Sequence, residues 1–223
     1  MELPLILINF KCYEESTGQN ALKLAKACRY VSKKFNVNIS VSPQYTDIQK
    51  ISKLKIPIFA QHIDPIEVGA YTGHVTALAV KEAGVVGSLI SHSERKLTLE
   101  EIGQCIGIAR KYQLISVVCS DSLMKSKDVA MLNPDFIAYE PPELIGTGVS
   151  VSKTRPEVVS GTVNSVKNIS PSVKVLCGAG ITNGEDVKKA IELGAEGVLV
   201  ASGVVKAPKP KKVLKEFARA IKP

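Results

Sequence analysis

The stretch Phe136-Ile-Ala-Tyr-Glu-Pro-Pro-Glu-Leu-Ile-Gly-Thr-Gly148 decides the fold of this chain. Its apolar first part, Phe136 to Tyr139, is too short for a helix and predicts a buried strand. The strand stops after Glu140, because Pro141 and Pro142 have a fixed φ and lack the N–H groups that a ladder needs. The loop then reaches Gly146-Thr147-Gly148, whose backbone can change conformation and present N–H groups to an anion. The stretch therefore predicts a carboxylate at the C-terminal end of a strand, followed by a movable loop.

Similar short apolar runs recur along the whole chain, with helical patterns between them. Most of these runs are continuously apolar, as expected of strands in a parallel sheet that helices cover. The eight predicted strands are Pro4–Asn9, Val37–Val41, Pro57–Gln61, Val86–Ile90, Leu114–Val118, Asp135–Tyr139, Val173–Cys177 and Gly197–Ala201.

The helical segments carry recognisable start signals. From Gly18 to Phe35 the apolar residues recur at helical spacing, with lysines on the opposite face. Thr98-x-x-Glu101 and Thr182-x-x-Glu185 predict capping boxes, and Pro156 suits the first turn of another helix.

Eight such β–α units in 223 residues predict one α/β domain over residues 1–223, a closed (β/α)8 barrel. An open doubly wound sheet is the alternative for this order of elements. The first strand is not followed by the glycine pattern of a dinucleotide site, which disfavours that alternative.

Composition limits the cellular setting and the partners. The five cysteines are widely spaced and form no CxxC pair, which predicts reduced thiols without a zinc site. The net charge of +8 comes from basic residues spread over many segments, and the sequence shows no basic stripe with interleaved aromatic residues. No signal peptide or membrane-spanning run is visible. We therefore expect a cytoplasmic protein that binds neither nucleic acid nor membranes.

Chemically useful residues follow several strands at their predicted C-terminal ends. The first strand ends in Asn9-Phe10-Lys11, the fourth is followed by Ser91-His92-Ser93-Glu94-Arg95, and the sixth ends at Glu140. Small residues follow the last two strands, in Cys177-Gly178-Ala179-Gly180 and Ala201-Ser202-Gly203, and such turns can close on a phosphate. Because these ends meet at one rim of a barrel, together they predict proton transfer on a phosphorylated substrate.

At these residues the chain resembles the triosephosphate isomerase family over its whole length. Asn9-Phe10-Lys11 is similar to the family's N-[WF]-K, Ser91 to Arg95 to its [GS]-H-S-E-R, Ala138 to Pro141 to its A-Y-E-P, and Ile145 to Gly148 to its I-G-T-G. The resemblance implies a single-domain TIM barrel that interconverts dihydroxyacetone phosphate and glyceraldehyde 3-phosphate through an enediolate, in glycolysis and gluconeogenesis.

The resemblance also implies a role for each site residue. Glu140 would be the base, His92 the electrophile, and Lys11 and Asn9 would stabilise charge on oxygen. Glu94 would hold Lys11 in place. The residues implied in binding the substrate and its phosphate are Asn9, Phe10, Lys11, Ile145, Gly146, Gly180, Ala201 and Ser202. No cofactor or metal is implied.

The family pattern is not followed everywhere. Pro142-Glu143-Leu144 stands where Val-Trp-Ala is usual, and the later phosphate turns also differ, as in the short archaeal branch. Gly69-Ala70-Tyr71-Thr72-Gly73 resembles a loop that enters the neighbouring subunit, which implies a homodimer or homotetramer with Tyr71 and Thr72 in its interface.

Two other functions stay open from the residues alone. One is another phosphosugar isomerase or synthase on the same scaffold, because phosphate turns are common to many barrels. The other is a non-catalytic barrel that binds a phosphorylated metabolite.

Overall fold

A computed structural model of the chain describes residues 2–141 and 151–221. These residues contain eight strands, and the two ends of each strand lie within two residues of the predicted ends. They are β1 (Leu5–Asn9), β2 (Asn38–Ser42), β3 (Phe59–Ala60), β4 (Gly87–Ile90), β5 (Ile115–Ser120), β6 (Phe136–Tyr139), β7 (Lys174–Cys177) and β8 (Gly197–Val200).

All eight strands form one parallel sheet that closes on itself. The order is β2-β1-β8-β7-β6-β5-β4-β3, and each neighbouring pair is parallel. The two ends meet through a parallel bridge between Val41 and Ile58, where the Val41 N–H donates to the Pro57 carbonyl at 3.0 Å. The closed barrel is therefore confirmed, and the open doubly wound alternative is wrong.

Helices connect the strands and cover the barrel. Those in the described ranges are α1 (Gln19–Phe35), α2 (Tyr45–Ser52), α3 (Ala77–Glu82), α4 (Leu99–Lys111), α5 (Leu123–Met131), α6 (Val151–Thr154), α7 (Pro156–Ile169), α8 (Gly184–Glu192), α9 (Ser202–Val205) and α10 (Pro210–Ala220). The apolar face predicted for α1 is buried, and Pro156 occupies the first turn of α7. None of the described helices is long and apolar enough to cross a membrane.

One predicted capping box is confirmed and the other is wrong. Thr98 and Glu101 exchange the two expected hydrogen bonds at the start of α4. At the start of α8 the box is formed instead by Asn183 and Asp186. The Asp186 carboxylate also accepts the N–H and hydroxyl of Thr182 at 2.9 and 3.0 Å. The helix consequently begins one residue later than the Thr182 pattern predicts.

The pleat of the strands decides which side chains reach the mouth of the barrel. Alternate residues point inward, and an inner cluster fills the barrel with Leu5, Leu7, Phe59, Leu89, Val117, Cys119, Phe136, Ala138, Leu176 and Leu199. Continued by two residues beyond Leu7, Ala138 and Leu199, the same face carries Asn9, Glu140 and Ala201. The period of the strands therefore directs these three positions into the mouth.

Candidate active site

A single cavity at the mouth of the barrel brings together most of the predicted site residues. Its lining includes Asn9, Lys11, His92, Glu140, Gly180, Ala201 and Ser202, together with Tyr13, Gly178, Ile181, Thr182 and Gly203. These residues follow strands β1, β4, β6, β7 and β8, as the rim of a parallel barrel requires.

Lys11 is held at both its backbone and its side chain. Its φ of +48° is in the left-handed region, which is uncommon for a residue with a Cβ. The Asn9 side-chain oxygen accepts the Lys11 N–H at 2.9 Å, and the Gln61 amide donates to the Lys11 carbonyl at 2.9 Å. Its ammonium lies 2.8 Å from a carboxylate oxygen of Glu94. These contacts fix a nearly buried cation at the cavity wall.

His92 presents one ring nitrogen to the cavity as a donor. The Glu94 N–H donates to His92 Nδ1 at 3.2 Å, so in the neutral ring the proton is carried by Nε2. Burial, followed by the nearby charge of Lys11, lowers the pKa of His92 to about 4. The ring is therefore neutral at physiological pH and can donate a hydrogen bond without carrying charge.

Glu140 is a buried carboxylate facing His92. Its Oε2 lies 3.6 Å from His92 Nε2 and has no hydrogen-bond partner within the described residues. Burial raises the pKa of Glu140 to about 7, against a lowering by the Cys119 thiol and by Lys11. A carboxylate of this pKa is a stronger base than an exposed one, and about half of it is ionised at neutral pH.

The other side of the cavity is built from small residues and backbone. Gly180 has a φ of +70°, and α9 begins immediately after Ala201. A Cβ on Gly203 would overlap the Ile181 carbonyl, so the turns after β7 and β8 approach each other closely. The free N–H groups of a helix start favour an anion such as a phosphate.

Among the described residues, one predicted binding residue does not line this cavity. Phe10 has a fully buried side chain in the core, and its N–H donates to the Ser42 carbonyl at 3.0 Å. Ile145 and Gly146 lie outside the described residues. Glu94 is largely exposed and reaches the site through Lys11 and His92.

Sequence reasoning missed two supporting residues. Gly178 packs against Glu140, because a Cβ there would overlap the Glu140 Cγ. Gln61 bridges the Lys11 and Ser42 carbonyls, at 2.9 and 3.1 Å. The glycine-rich turn contained a signal for Gly178, whereas an amide at the end of a strand gives none for Gln61.

The arrangement is suited to moving a proton next to a carbonyl group. It offers a buried base, a neutral donor, a cation and turns of small residues in one cavity. Over residues 2–141 and 151–221, no group of three or more metal-binding side chains comes together.

The comparisons with known proteins agree with this chemistry. The family model described as triosephosphate isomerase matches residues 4–220. A triosephosphate isomerase from Methanothermus fervidus is 53% identical over 97% of this chain and 98% of its own length. The enzymes of that name from Methanosarcina barkeri and Methanocaldococcus jannaschii are each 50% identical, over 99% and 97% of this chain and all of their own length. The chain belongs to the triosephosphate isomerase family.

Proposed function

We propose that this chain interconverts dihydroxyacetone phosphate and D-glyceraldehyde 3-phosphate, with Glu140 as the base and His92 as the electrophile. The observation that supports this most directly is the 3.6 Å approach of Glu140 Oε2 to His92 Nε2 at the mouth of the barrel. This division of roles between a glutamate and a neutral histidine is the one known for the family.

The reaction begins when Glu140 removes a proton from the carbon next to the substrate carbonyl. Negative charge develops on the carbonyl oxygen, and an enediolate forms. The Nε2–H of His92 and the ammonium of Lys11 are donors already in place for that charge. His92 gives its Nε2 proton to that oxygen and takes one from the hydroxyl of the neighbouring carbon, so the negative charge moves to the other oxygen. The protonated Glu140 then returns its proton to the carbon that carried the original carbonyl, and a carbonyl forms at the neighbouring carbon.

Burial of the reacting groups strengthens these interactions. The side chains of Glu140 and His92 are only 7% and 8% exposed. In such a poorly hydrated site, charge–charge and hydrogen-bond interactions are stronger than in water. We infer that the loop from Pro142 to Gly148 closes over the substrate and keeps water from the enediolate.

We assign the phosphate to the small-residue side of the cavity. Gly180, Ala201 and Ser202 line that side, and Asn9 and Lys11 line the same cavity. Ile145 and Gly146 stay predicted contacts of the same phosphate. A phosphate held here would leave the carbonyl end of a triose within reach of His92 and Glu140.

We further infer that the enzyme works in the cytoplasm as a homodimer or homotetramer. Residues 67–74 are all exposed, and Tyr71 packs edge-on against His74 with ring centroids 5.9 Å apart. An exposed loop with an ordered aromatic tip fits insertion into a second subunit.

A coupled assay of the purified protein tests the proposed reaction. We expect turnover of both triose phosphates in both directions, without added metal or cofactor. If neither is converted while other phosphosugars are, the chain is a different isomerase. If the protein binds triose phosphates without converting them, it is a binding protein.

A further inference from the structure

A largely buried segment with three polar residues follows β3, and its first residue, Gln61, contacts the Lys11 carbonyl. It comprises residues 61–64, Gln61-His62-Ile63-Asp64. None of them is among the residues that line the cavity in the described ranges. The last of them, Asp64, is only 6% exposed, which is unusual for a carboxylate unless it is paired.

Asp64 uses both carboxylate oxygens to join separate parts of the rim. Its Oδ1 accepts from Arg95 Nη2 at 2.9 Å and lies 3.0 Å from His62 Nε2. Its Oδ2 accepts the Val75 N–H at 2.6 Å, and its own N–H donates to the Val75 carbonyl at 2.9 Å. Asp64 thus closes the base of the loop 64–75 and also holds the guanidinium of Arg95.

Asp64 is held ionised, because its partners outweigh the cost of burial. Burial raises the pKa of Asp64, but hydrogen bonds from Val75 and His62 and the charge of Arg95 lower it below the usual value. Burial in turn lowers the pKa of His62, so that ring is neutral and donates from Nε2. The Tyr45 hydroxyl donates to the His62 carbonyl at 2.7 Å and ties the segment to helix α2.

Arg95, which forms an ion pair with Asp64, is also hydrogen-bonded directly to the turn that carries His92. The Arg95 N–H donates to the His92 carbonyl at 2.8 Å. The turn starts at Ser91, whose φ of +57° is unfavourable for a residue with a Cβ. A strained turn keeps its conformation only where surrounding contacts fix it. The ion pair with Asp64 is such a contact at the far end of this turn.

We propose that Asp64 is a positioning residue for the isomerisation: through Arg95 it fixes the turn that aims His92 Nε2 at the substrate carbonyl. This rests on the proposed function. Asp64 does not touch the substrate in this account. Its effect is on the geometry of the transition state, because phosphate binding depends on the opposite side of the cavity.

The first test is Asp64→Asn, which keeps the shape of the side chain. The amide has a single acceptor oxygen for the three donors on Arg95, His62 and Val75, so at least one donor loses its partner. We expect kcat to fall about 10- to 100-fold, the cost of a small misplacement of a reacting group. KM and the affinity for inorganic phosphate should change little.

Asp47→Asn is the matched control. Asp47 is also buried and accepts a loop N–H, that of Gly18 at 2.8 Å, but it pairs with a different part of the rim. A comparable loss of thermal stability with unchanged kcat is expected for this variant. If both variants lose kcat in proportion to stability, Asp64 is merely structural and the proposal is overturned.

A double-mutant cycle with Arg95→Gln tests the route of the effect. Because the Arg95 side chain is 56% exposed, its replacement should be tolerated even if Asp64→Asn does not fold. We expect Arg95→Gln alone to reproduce the loss in kcat, and the double variant to be no worse than either single one. Additive losses, or a normal kcat in Arg95→Gln, would overturn the proposal.

Nitrogen NMR of the His92 ring separates this proposal from the proposed function. In the parent protein the ring should be neutral, with its proton on Nε2. In Asp64→Asn and Arg95→Gln the Nδ1 contact with the Glu94 N–H should loosen and the two ring-nitrogen signals should shift. Unchanged signals reject the positioning role even if the parent isomerises triose phosphates. Absent isomerase activity in the parent rejects the proposed function, whatever the signals show.

Discussion

At the scale of single residues, the site depends on Glu140 and His92, whose pKa values are shifted in opposite directions. Burial raises the pKa of Glu140 to about 7 and lowers that of His92 to about 4. Between these pH values Glu140 is mostly protonated and the imidazole of His92 is mostly neutral. Glu140 must lose its proton before it can act, so the pKa of Glu140 sets the acid limit of the reaction.

We therefore predict that kcat/KM falls as the pH decreases through about 7. The profile of kcat/KM reports groups of the free enzyme. The substrate phosphate titrates nearby, at a pKa of about 6, so a variant must identify the group. Because the Cys119 thiol lowers the pKa of Glu140, Cys119→Ala should move the acid limb to higher pH. If the acid limb of the kcat/KM profile does not move in this variant, the limb reports the titration of the substrate phosphate.

A second prediction concerns Lys11. Lys11→Met should fold normally, because the ammonium contacts Glu94 at the cavity wall and not the core. Its kcat/KM should fall about 100- to 1000-fold, the usual cost of removing one preorganised donor. Coupled assays and a melting curve measure both effects. Near-normal activity would remove Lys11 from the mechanism.

The sequence could predict these side chains but not their electrostatics. Glu140, His92 and Lys11 are visible as polar residues after apolar runs. The left-handed backbone of Lys11, the Gln61 contact behind it and the Asp64–Arg95 ion pair each join segments that are remote in sequence. No local pattern encodes such contacts.

At the scale of elements, a strand or helix can be predicted from the sequence when its own residues determine where it begins and ends. Most of the eight strands are continuously apolar, so their positions could be predicted. The capping box of α8 was misplaced because Thr182 and Asn183 compete for one role, and the Asp186 carboxylate binds both. Strand β3 is shorter than predicted, since regular pairing is limited to Phe59 and Ala60.

The turn after β7 gives a prediction at this scale. Gly178→Ala should push Glu140 away from His92, because the new methyl would overlap the Glu140 Cγ. Activity should fall by about 100-fold, as for a displacement near 1 Å. The matched control is Gly107→Ala in α4, where no atom lies within 4 Å of the added methyl. That change should leave activity intact and add up to about 1 kcal/mol of stability.

The two glycine variants are compared by activity at equal folded fraction. If Gly178→Ala keeps full activity while folded, Glu140 tolerates a wider range of positions than a general base of this kind should.

At the scale of the whole molecule, packing brings together basic residues from two segments that are remote in the sequence. Residues 19–35 and 202–221 contain eleven of the 29 Lys and Arg residues and only one acidic residue, Glu216. Helices α1 and α10 pack together, with Lys211 Nζ 3.6 Å from the Tyr30 ring centroid. Basic residues from segments remote in the sequence therefore lie on two helices that pack against each other.

The oligomeric state is the prediction that belongs to this scale. Tyr71, 49% exposed on the loop 67–74, should be buried by a second subunit. Tyr71→Ser should shift sedimentation toward the monomer and lower activity. Tyr30→Ser is the control, since Tyr30 is 43% exposed on α1. A parent protein that sediments as a fully active monomer would contradict the prediction.

The central claim, that Glu140 is the base of a triose phosphate isomerase, is tested most directly by the isomerisation rate of Glu140→Gln. The amide fills the same space but cannot accept the proton. The account predicts a folded protein that still binds a phosphorylated enediolate mimic, with a rate lowered at least about 100-fold. Glu140→Asp should also be impaired, because it withdraws the carboxylate by one methylene. Isomerisation by Glu140→Gln within about tenfold of the parent rate would contradict the claim.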